Sequence, residues 1–423
     1  MNIIIHPPHN EWSALLQRPA MDHSMLEAAV LEVLNNVKQN GDKALVEFTQ
    51  RFDGVLLKNI KVSDVEIAAA EQELTTELKA AIAQAKENIE RFHAAQVQPV
   101  VKVETMPGVQ CWRKSIGIEK VGLYIPGGSA PLFSTVLMLG IPAVLAGCRE
   151  IILCTPPGKD GNIHPAVLYA AKVAGITQVY KAGGAQAIAA MAYGTETVPA
   201  VFKIFGPGNQ YVTCAKQLIQ RDGIAIDMPA GPSEVCVLAD ETANAAYVAA
   251  DLLSQAEHGP DSQVLLVSTT VQIAEQVIRE VNLQLNELPR KSIAIKALKN
   301  SKAIIVENIN EAMELINTYA PEHLIISCAN DEAVAELVVN AGSVFLGNYS
   351  PESVGDYASG TNHTLPTNGY AKAYSGVSVD SFVKKITYQK LSLQGLKIIA
   401  STVISMAEAE GLQAHANAVR KRI

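Results

Sequence analysis

At 423 residues the chain exceeds one ordinary hydrophobic core and points to two or more domains. Its composition, 48% hydrophobic and only 18% charged, is that of a globular chain with ample material to bury and excludes a disordered or fibrous one. A net charge of -8 argues against nucleic acid, whose binding rewards basic faces, and favours a small-molecule substrate.

The start, Met1-Asn-Ile-Ile-Ile-His6, lacks the basic opening and long apolar core of a secretory signal. No run of about twenty apolar residues could span a membrane. A cytoplasmic location without membrane contact is therefore expected. Cys111, Cys148, Cys154, Cys214, Cys236 and Cys328 are scattered without a CxxC pair, which supports neither a disulfide framework nor a thiolate zinc cluster. From Asp22 to Asp53 and from Asp64 to Gln96, Leu, Ala, Val and Ile recur at helical spacings, with a break at Phe52-Asp53-Gly54. Val100 to Val103 and Gln110 to Ile118 then read as strands flanking a hairpin turn at Met106-Pro107-Gly108.

From Glu119 the texture changes to short β-branched runs, each followed by an Ala-rich helix: Val121 to Ile125, Ile151 to Cys154, Gln178 to Lys181 and Val201 to Phe205. This alternation is the pattern of βαβ units and a mainly parallel sheet. Glycine loops follow three of these strands, at Pro126 to Pro131, Ala182 to Gln186 and Phe205 to Asn209. Ligands bind at such carboxyl ends. A second alternating series places strands at Glu234 to Leu238, Val264 to Ser268, Ala303 to Val306 and Leu324 to Ser327. The two halves share architecture but no repeat of residue identities. Ser350 to Tyr374 is rich in Gly, Ser, Thr, Asn and Pro and reads as a long ordered loop of the kind that carries function. The tail from Phe382 onward reads as helical.

In Tyr319-Ala-Pro-Glu-His-Leu324 a carboxylate stands beside an imidazole where an irregular segment enters an apolar run. Adjacent side chains of a regular strand point to opposite faces, so Glu322 and His323 share a site only while the backbone there is irregular. Pro321 favours this by fixing its own φ and pushing Ala320 out of helical geometry. Taken alone, the pair reads as solvated loop residues ahead of a buried strand. In Ser254-Gln-Ala-Glu-His-Gly-Pro-Asp261, which closes a helix begun near Thr242, Gln255 and His258 stand three apart and share a face. That is half of a divalent cation site. Gln is a poor zinc ligand and His-Glu-x-x-His is absent, so the residues themselves favour a capping His and a solvated Gln.

Asp356 and His363 lie in the glycine-rich stretch Val354 to His363, where Asp also forms turns without any ligand. Glu410 and His415 are separated by Gly411 and need not share a helical face. The glycine loops lack Gly-x-Gly-x-x-Gly, since Gly206-Pro-Gly-Asn-Gln-Tyr211 has no third glycine. Gly-x-Ser-x-Gly and the P-loop are absent too, which removes the commonest hydrolase and phosphate-transfer readings.

Taken together, Gly122 to Gly128, Phe205 to Asn209, Met228 to Glu234, Gln255 to His258, Ala320 to Leu324, Gly355 to Tyr357 and Ala414-His415 resemble histidinol dehydrogenase. The resemblance runs from about Glu27 to the C-terminus, with its blocks in order. It implies an α/β fold of two incomplete Rossmann-like domains with parallel sheets, helical extensions at both ends and an intertwined homodimer. On this pattern 1–22 form an arm, 23–122 and 234–376 a first domain, 123–233 a second, NAD-side domain, and 377–423 a tail that serves the partner subunit. The implied reaction is the oxidation of L-histidinol through the aldehyde to L-histidine, the last steps of histidine biosynthesis, with NAD and one zinc ion per subunit.

The zinc ligands carried over are Gln255, His258, Asp356 and His415, which reverses the reading of Gln255 made from the residues alone. Ser233, His363 and Glu410 would touch substrate together with Gln255, His258, His323, Asp356 and His415. Glu410 and His415 would come from the partner, completing a shared active site. Tyr124, Gln186 and Asn209 would lie along NAD. His323 would take the alcohol proton, and Glu322 would activate water against the aldehyde. Competing readings are a zinc hydrolase built on the same polar cluster and a non-enzymatic small-molecule-binding protein.

Overall fold

The computed structural model describes residues 1–19, 23–127, 131–176, 178–229 and 231–423. Asp22, where the first helix was expected to begin, lies outside the described residues, as do Gly128, Ser129, Ala130 and Ala230 of the quoted motifs.

The βαβ series between Glu119 and Ile226 forms a five-stranded parallel sheet. Its strands are β4 (Lys120–Tyr124), β5 (Glu150–Thr155), β6 (Gln178–Lys181), β7 (Lys203–Phe205) and β8 (Ala225–Ile226), in the order β6-β5-β4-β7-β8. Val121, Leu123, Ile152, Leu153, Val179 and Ile204 are fully buried, as expected of a sheet covered on both faces. One face is covered by the helix His23–Phe52 against Gly184–Tyr193 and Gln210–Ile219, burying Val30, Leu34, Leu45, Ile188 and Met191 together. The other carries Phe133–Leu145 and Pro165–Val173, on which the helices Asp64–Glu73 and Thr76–Ala94 pack. Residues 23–122 were expected to group with 234–376. The three N-terminal helices instead bury their apolar faces on the five-stranded unit, which needs cover on both sides.

A six-stranded parallel sheet contains β1 (Asn2–Ile5), β9 (Glu234–Ala239), β10 (Gln263–Ser268), β11 (Lys302–Ile305), β12 (His323–Ser327) and β13 (Ser343–Leu346), in the order β1-β11-β10-β9-β12-β13. From β11 to β13 this repeats the connectivity of the five-stranded sheet, with the order reversing beside the first strand of the series. The arm adds β1 to the edge, aligning Asn2 with Lys302.

The expected hairpin forms as β2 (Lys102–Met106) and β3 (Val109–Gly117) around Pro107-Gly108. The tail was expected to be helical from Phe382. It begins instead as β14 (Val383–Leu391), paired antiparallel with β3 through the alternating stretch Val-Lys-Lys-Ile-Thr-Tyr-Gln-Lys-Leu. Helices Leu393–Ala409 and Gln413–Arg420 follow. The long loop encloses a short helix, Glu352–Tyr357. No helix among the described residues is long and apolar enough to cross a membrane.

Candidate active site

The helix Ile309–Tyr319 ends on Ala320 in the left-handed region, with φ 54 and ψ 68. A residue with a Cβ is strained there, at a cost of about 1–2 kcal/mol. Arg18 donates to the carbonyl of Tyr319 at 2.9 Å and stacks 4.0 Å above its ring, bracing the turn. Pro321 and Glu322 follow in irregular backbone, and β12 starts at His323. Gly342 passes so close that a Cβ would lie 2.5 Å from the Glu322 carbonyl, and the Ser343 N–H donates to that carbonyl at 2.9 Å.

Glu322 and His323 are 7% and 3% exposed, so the solvated loop pair expected from the residues alone does not occur. The irregular backbone brings Glu322 Oε2 within 3.6 Å of His323 Nδ1. Glu322 Oε2 accepts from the Glu234 N–H at 2.9 Å, while His323 Nδ1 lies 3.0 Å from the Glu234 carbonyl. Nδ1 faces a carbonyl, so Nε2 is the ring nitrogen that can exchange a proton with the site. Nε2 is buried without a hydrogen-bond partner, 3.6 Å from Asp356 Oδ1. The Gln255 amide stands 3.1 Å from Nδ1.

His258, Glu352 and Asp356 offer ligand atoms that all lie within 4.8 Å of one another. Gln255 lies in the last turn of the helix Ala245–Ala256, and His258 lies just past it, its N–H donating to the Gln255 carbonyl at 3.2 Å. Gln255 Oε1, Glu352 Oε2 and Asp356 Oδ1 are buried without hydrogen-bond partners. Such atoms cost roughly 1–3 kcal/mol each unless something else meets them. Burial pushes the Glu322 and Glu352 carboxyls up from their ordinary range. His323 feels burial most, but Glu322, Glu352 and Asp356 outweigh it and raise the imidazole. Asp356 is pulled below its ordinary value against burial by His323, His363 and His258.

Three carboxylates around two imidazoles and an amide oxygen, with acceptor atoms left over, form a donor set for a divalent cation. Nitrogen and oxygen ligands of this kind suit zinc. Of the expected ligands, the structure brings together Gln255, His258 and Asp356. Glu352, 1% exposed, is the residue sequence reasoning missed. Its signal was the i, i+4 spacing to Asp356, readable only once a helix is known to interrupt the loop.

His363 Nδ1 donates to the Asp356 carbonyl at 2.8 Å, and Nε2 lies 2.9 Å from Thr135 Oγ1 on the helix Phe133–Leu145. Ser233 directly precedes the Glu234 peptide that holds the pair. Glu410 and His415 are exposed on the terminal helices and have no side-chain partner among the described residues. Within one chain they do not join the cluster.

Tyr124, Gln186 and Asn209 line one cavity of about 1290 Å³, whose walls include the glycine loops at the carboxyl ends of the five-stranded sheet. The Tyr124 hydroxyl accepts from the Gly184 N–H at 3.0 Å, and Asn209 caps the helix Gln210–Ile219 through Tyr211 and Val212. Gly206, at φ 129, passes Tyr124 so tightly that a Cβ would fall 2.0 Å from the Tyr124 carbonyl. A buried Lys216–Asp227 ion pair grips its peptide from both sides. Lys216 Nζ donates to the Gly206 carbonyl, and Asp227 Oδ2 accepts from its N–H, each at 2.8 Å. The cavity has the volume to take a dinucleotide, and its loops present backbone N–H groups at helix starts, where phosphates bind.

The sequence profile of the family described as histidinol dehydrogenase matches residues 16–423. Histidinol dehydrogenase of Bacteroides thetaiotaomicron is 60% identical over 423 residues, covering 100% of this chain and 99% of the relative. That of Vibrio cholerae is 55% identical over 413 residues, covering 97% and 95%. The crystal structure of histidinol dehydrogenase from Elizabethkingia anophelis superposes with a TM-score of 0.98 at 57% identity, covering 100% of this chain and 98% of that one. An acetylating aldehyde dehydrogenase from Geobacillus thermoglucosidasius shares the fold alone, with a TM-score of 0.50 at 16% identity over 90% and 93% of the chains. With nearly the whole chain matched, and a buried Glu322–His323 pair beside a cluster of unsatisfied acceptors, this chain belongs to the histidinol dehydrogenase family.

Proposed function

We propose that this chain divides the oxidation of L-histidinol to L-histidine between two adjacent residues, His323 for the alcohol and Glu322 for the aldehyde. The reaction class comes with the family: a zinc- and NAD-dependent oxidoreductase of histidine biosynthesis. That sets aside a hydrolase and a passive binding protein. When bound, zinc supplies a positive anchor for the substrate's imidazole and amine, and NAD takes up a hydride in each of the two oxidations.

Gln255, His258 and Asp356 would hold the metal, with Glu352 supplying a further negative charge beside it. His323 would take the alcohol proton at Nε2. Glu322 would take a proton from the water that attacks the aldehyde, and its burial raises its basicity toward neutral pH. His323, having passed the first proton to solvent, would then take the proton of the hydrated aldehyde, and Glu322 would return its own to solvent as the acid leaves. Ser233 and His363 flank this space as substrate contacts. Tyr124, Gln186 and Asn209 would orient the cofactor from the glycine loops, with 123–233 as the cofactor-side unit.

The single observation that carries this reading is the buried pair hung on one peptide, with Nε2 turned toward the unsatisfied cluster. NADH absorbance with L-histidinol, before and after a chelator and again with zinc restored, tests it. Turnover that is lost and regained supports the metal assignment, and turnover indifferent to metal content sinks it.

The chain would act as a homodimer in the cytoplasm, with residues 377–423 of one subunit carrying Glu410 and His415 into the site of the other. What supports this is the helix Leu393–Ala409, 17 residues long and rich in apolar side chains. It buries only Gly395, Ala400 and Ala407 within its own chain while exposing Leu393, Ile398 and Met406. An apolar face of that kind marks an interface.

A further inference from the structure

We infer that Arg18, on the N-terminal arm, is a positioning residue for the Glu322–His323 pair and acts through Glu234; the inference rests on the proton-handling role given to that pair.

Glu234 opens β9 and is 2% exposed. Its peptide serves both members of the pair, the N–H holding Glu322 Oε2 and the carbonyl facing His323 Nδ1. Its side chain reaches the other way and is gripped by the arm. Arg18 Nε and Nη2 donate to Glu234 Oε1 and Oε2 at 2.5 and 2.8 Å, a bidentate fork that fixes the rotation of the carboxylate as well as neutralising it. The Asn368 N–H donates to the same Oε1 at 2.8 Å.

Arg18 also holds the chain on the far side of the pair. Nη2 donates to the Tyr319 carbonyl, and the guanidinium lies over the Tyr319 ring, two residues before Pro321. One side chain therefore fixes the backbone that leads into Glu322 and the peptide against which Glu322 and His323 are oriented. The arm is docked at a second point. Tyr319 donates its hydroxyl proton to Gln263 Oε1 at 2.9 Å, and Gln263 Nε2 donates to the Gln17 carbonyl at 3.2 Å. The arm is thus a back wall of the active site, behind residues 216 and more positions later in the chain.

Arg18→Lys keeps the charge and loses the fork, which separates positioning from neutralisation. Arg18→Met combined with Glu234→Gln removes both charges and leaves no buried ion unpaired. The measurements are zinc content, ADP-ribose affinity by calorimetry, melting temperature, and single-turnover rates of the alcohol and aldehyde halves well below the melting temperature.

The expected result for Arg18→Lys is full zinc content and unchanged ADP-ribose affinity, with the aldehyde half slowed by about tenfold or more, since sub-ångström misplacement of a reacting group costs rate on that scale. In Arg18→Met with Glu234→Gln, stability recovers and the rate does not. Guanidinium ion added to Arg18→Ala restores part of the rate. Because Arg18 acts through the pair, Arg18→Lys placed on Glu322→Gln slows the aldehyde half no further.

A purely structural role predicts the reverse: melting temperature falls, while the rates of the folded protein match the parent. That result, or full additivity with Glu322→Gln, overturns the inference. If Glu322→Gln itself leaves both halves untouched, the reading of the pair fails and this one with it. If Glu322→Gln is slow and Arg18→Lys is not, only the role of the arm falls.

Discussion

Glu322 differs from the other carboxylates around His323 in how it is held. Its oxygen takes the Glu234 N–H, whereas Glu352 and Asp356 each keep a buried oxygen with no partner. That contrast fits the proposed roles, Glu322 as a base and Asp356 as a ligand with Glu352 beside it. Glu322→Gln keeps the shape and can still accept the Glu234 N–H, yet it cannot take a proton from water. The aldehyde-to-acid half should slow by about a hundredfold or more, with the alcohol half much less affected, because general base catalysis is worth that much. Equal loss in both half-reactions, measured by single turnover, would remove the division of labour. His258→Asn should abolish zinc retention on dialysis, and Glu352→Gln should lower zinc affinity about tenfold, the usual effect of a residue beside the first ligands. Elemental analysis reads both, and full metal in His258→Asn would misplace the site. Gln255 shows the limit of residue identity alone: a weak ligand type remains a candidate once its oxygen is buried without a hydrogen-bond partner.

Among the elements, the two parallel sheets share a strand order but use opposite edges. The cavity lined by Tyr124, Gln186 and Asn209 opens at the carboxyl ends of β4, β5 and β6, beside the glycine loops. The Glu322–His323 pair and Glu234 stand at the amino ends of β12 and β9. Alternation of β-branched runs and Ala-rich helices makes both sheets legible in the sequence. β1 is not legible, because four residues carry no periodicity and their partner β11 lies some three hundred positions away. β14 is masked by the helical texture that follows it.

The loop of Asp356 and His363 is fastened to the other sheet's helices. Asn362 donates to the Met138 carbonyl at 2.6 Å and stands 3.4 Å from His93 Nε2. His93 is fully buried on the helix Thr76–Ala94, and burial lowers it, opposed by its bond to the Ile89 carbonyl. The native state therefore binds this proton less readily than the unfolded chain, whose His titrates near 6.5. Stability is constant above that pH and falls as pH drops below it, until the native His itself protonates. His93→Gln should flatten the fall in melting temperature between about pH 6.5 and pH 5 relative to the parent. An unchanged slope would place the acid sensitivity elsewhere.

For the whole molecule the decisive question is which chain completes which site. Glu322→Gln and His415→Asn should each be nearly inactive alone. Unfolded and refolded together in equal amounts, they should regain about a quarter of parental activity if the chain pairs as proposed, because half of such dimers would be mixed and each mixed dimer would keep one intact site. A site completed within one chain would regain nothing. Light scattering before and after mixing checks that dimers have formed.

The cavity lined by Tyr124, Gln186 and Asn209 shares no lining residue with the cluster of Gln255, His258, Glu352 and Asp356. On the proposed roles the two reactants would be held by separate sets of residues, and the consequence is one of timing. A reaction that consumes two cofactor molecules per substrate must change one partner midway without releasing the other. The spent dinucleotide would then depart and a fresh one arrive while the half-oxidised intermediate stays tethered beside Gln255, His258 and Asp356. A carbonyl-trapping amine included during turnover should intercept almost none of it, and free aldehyde accumulating in the trap would show that the tether lets go.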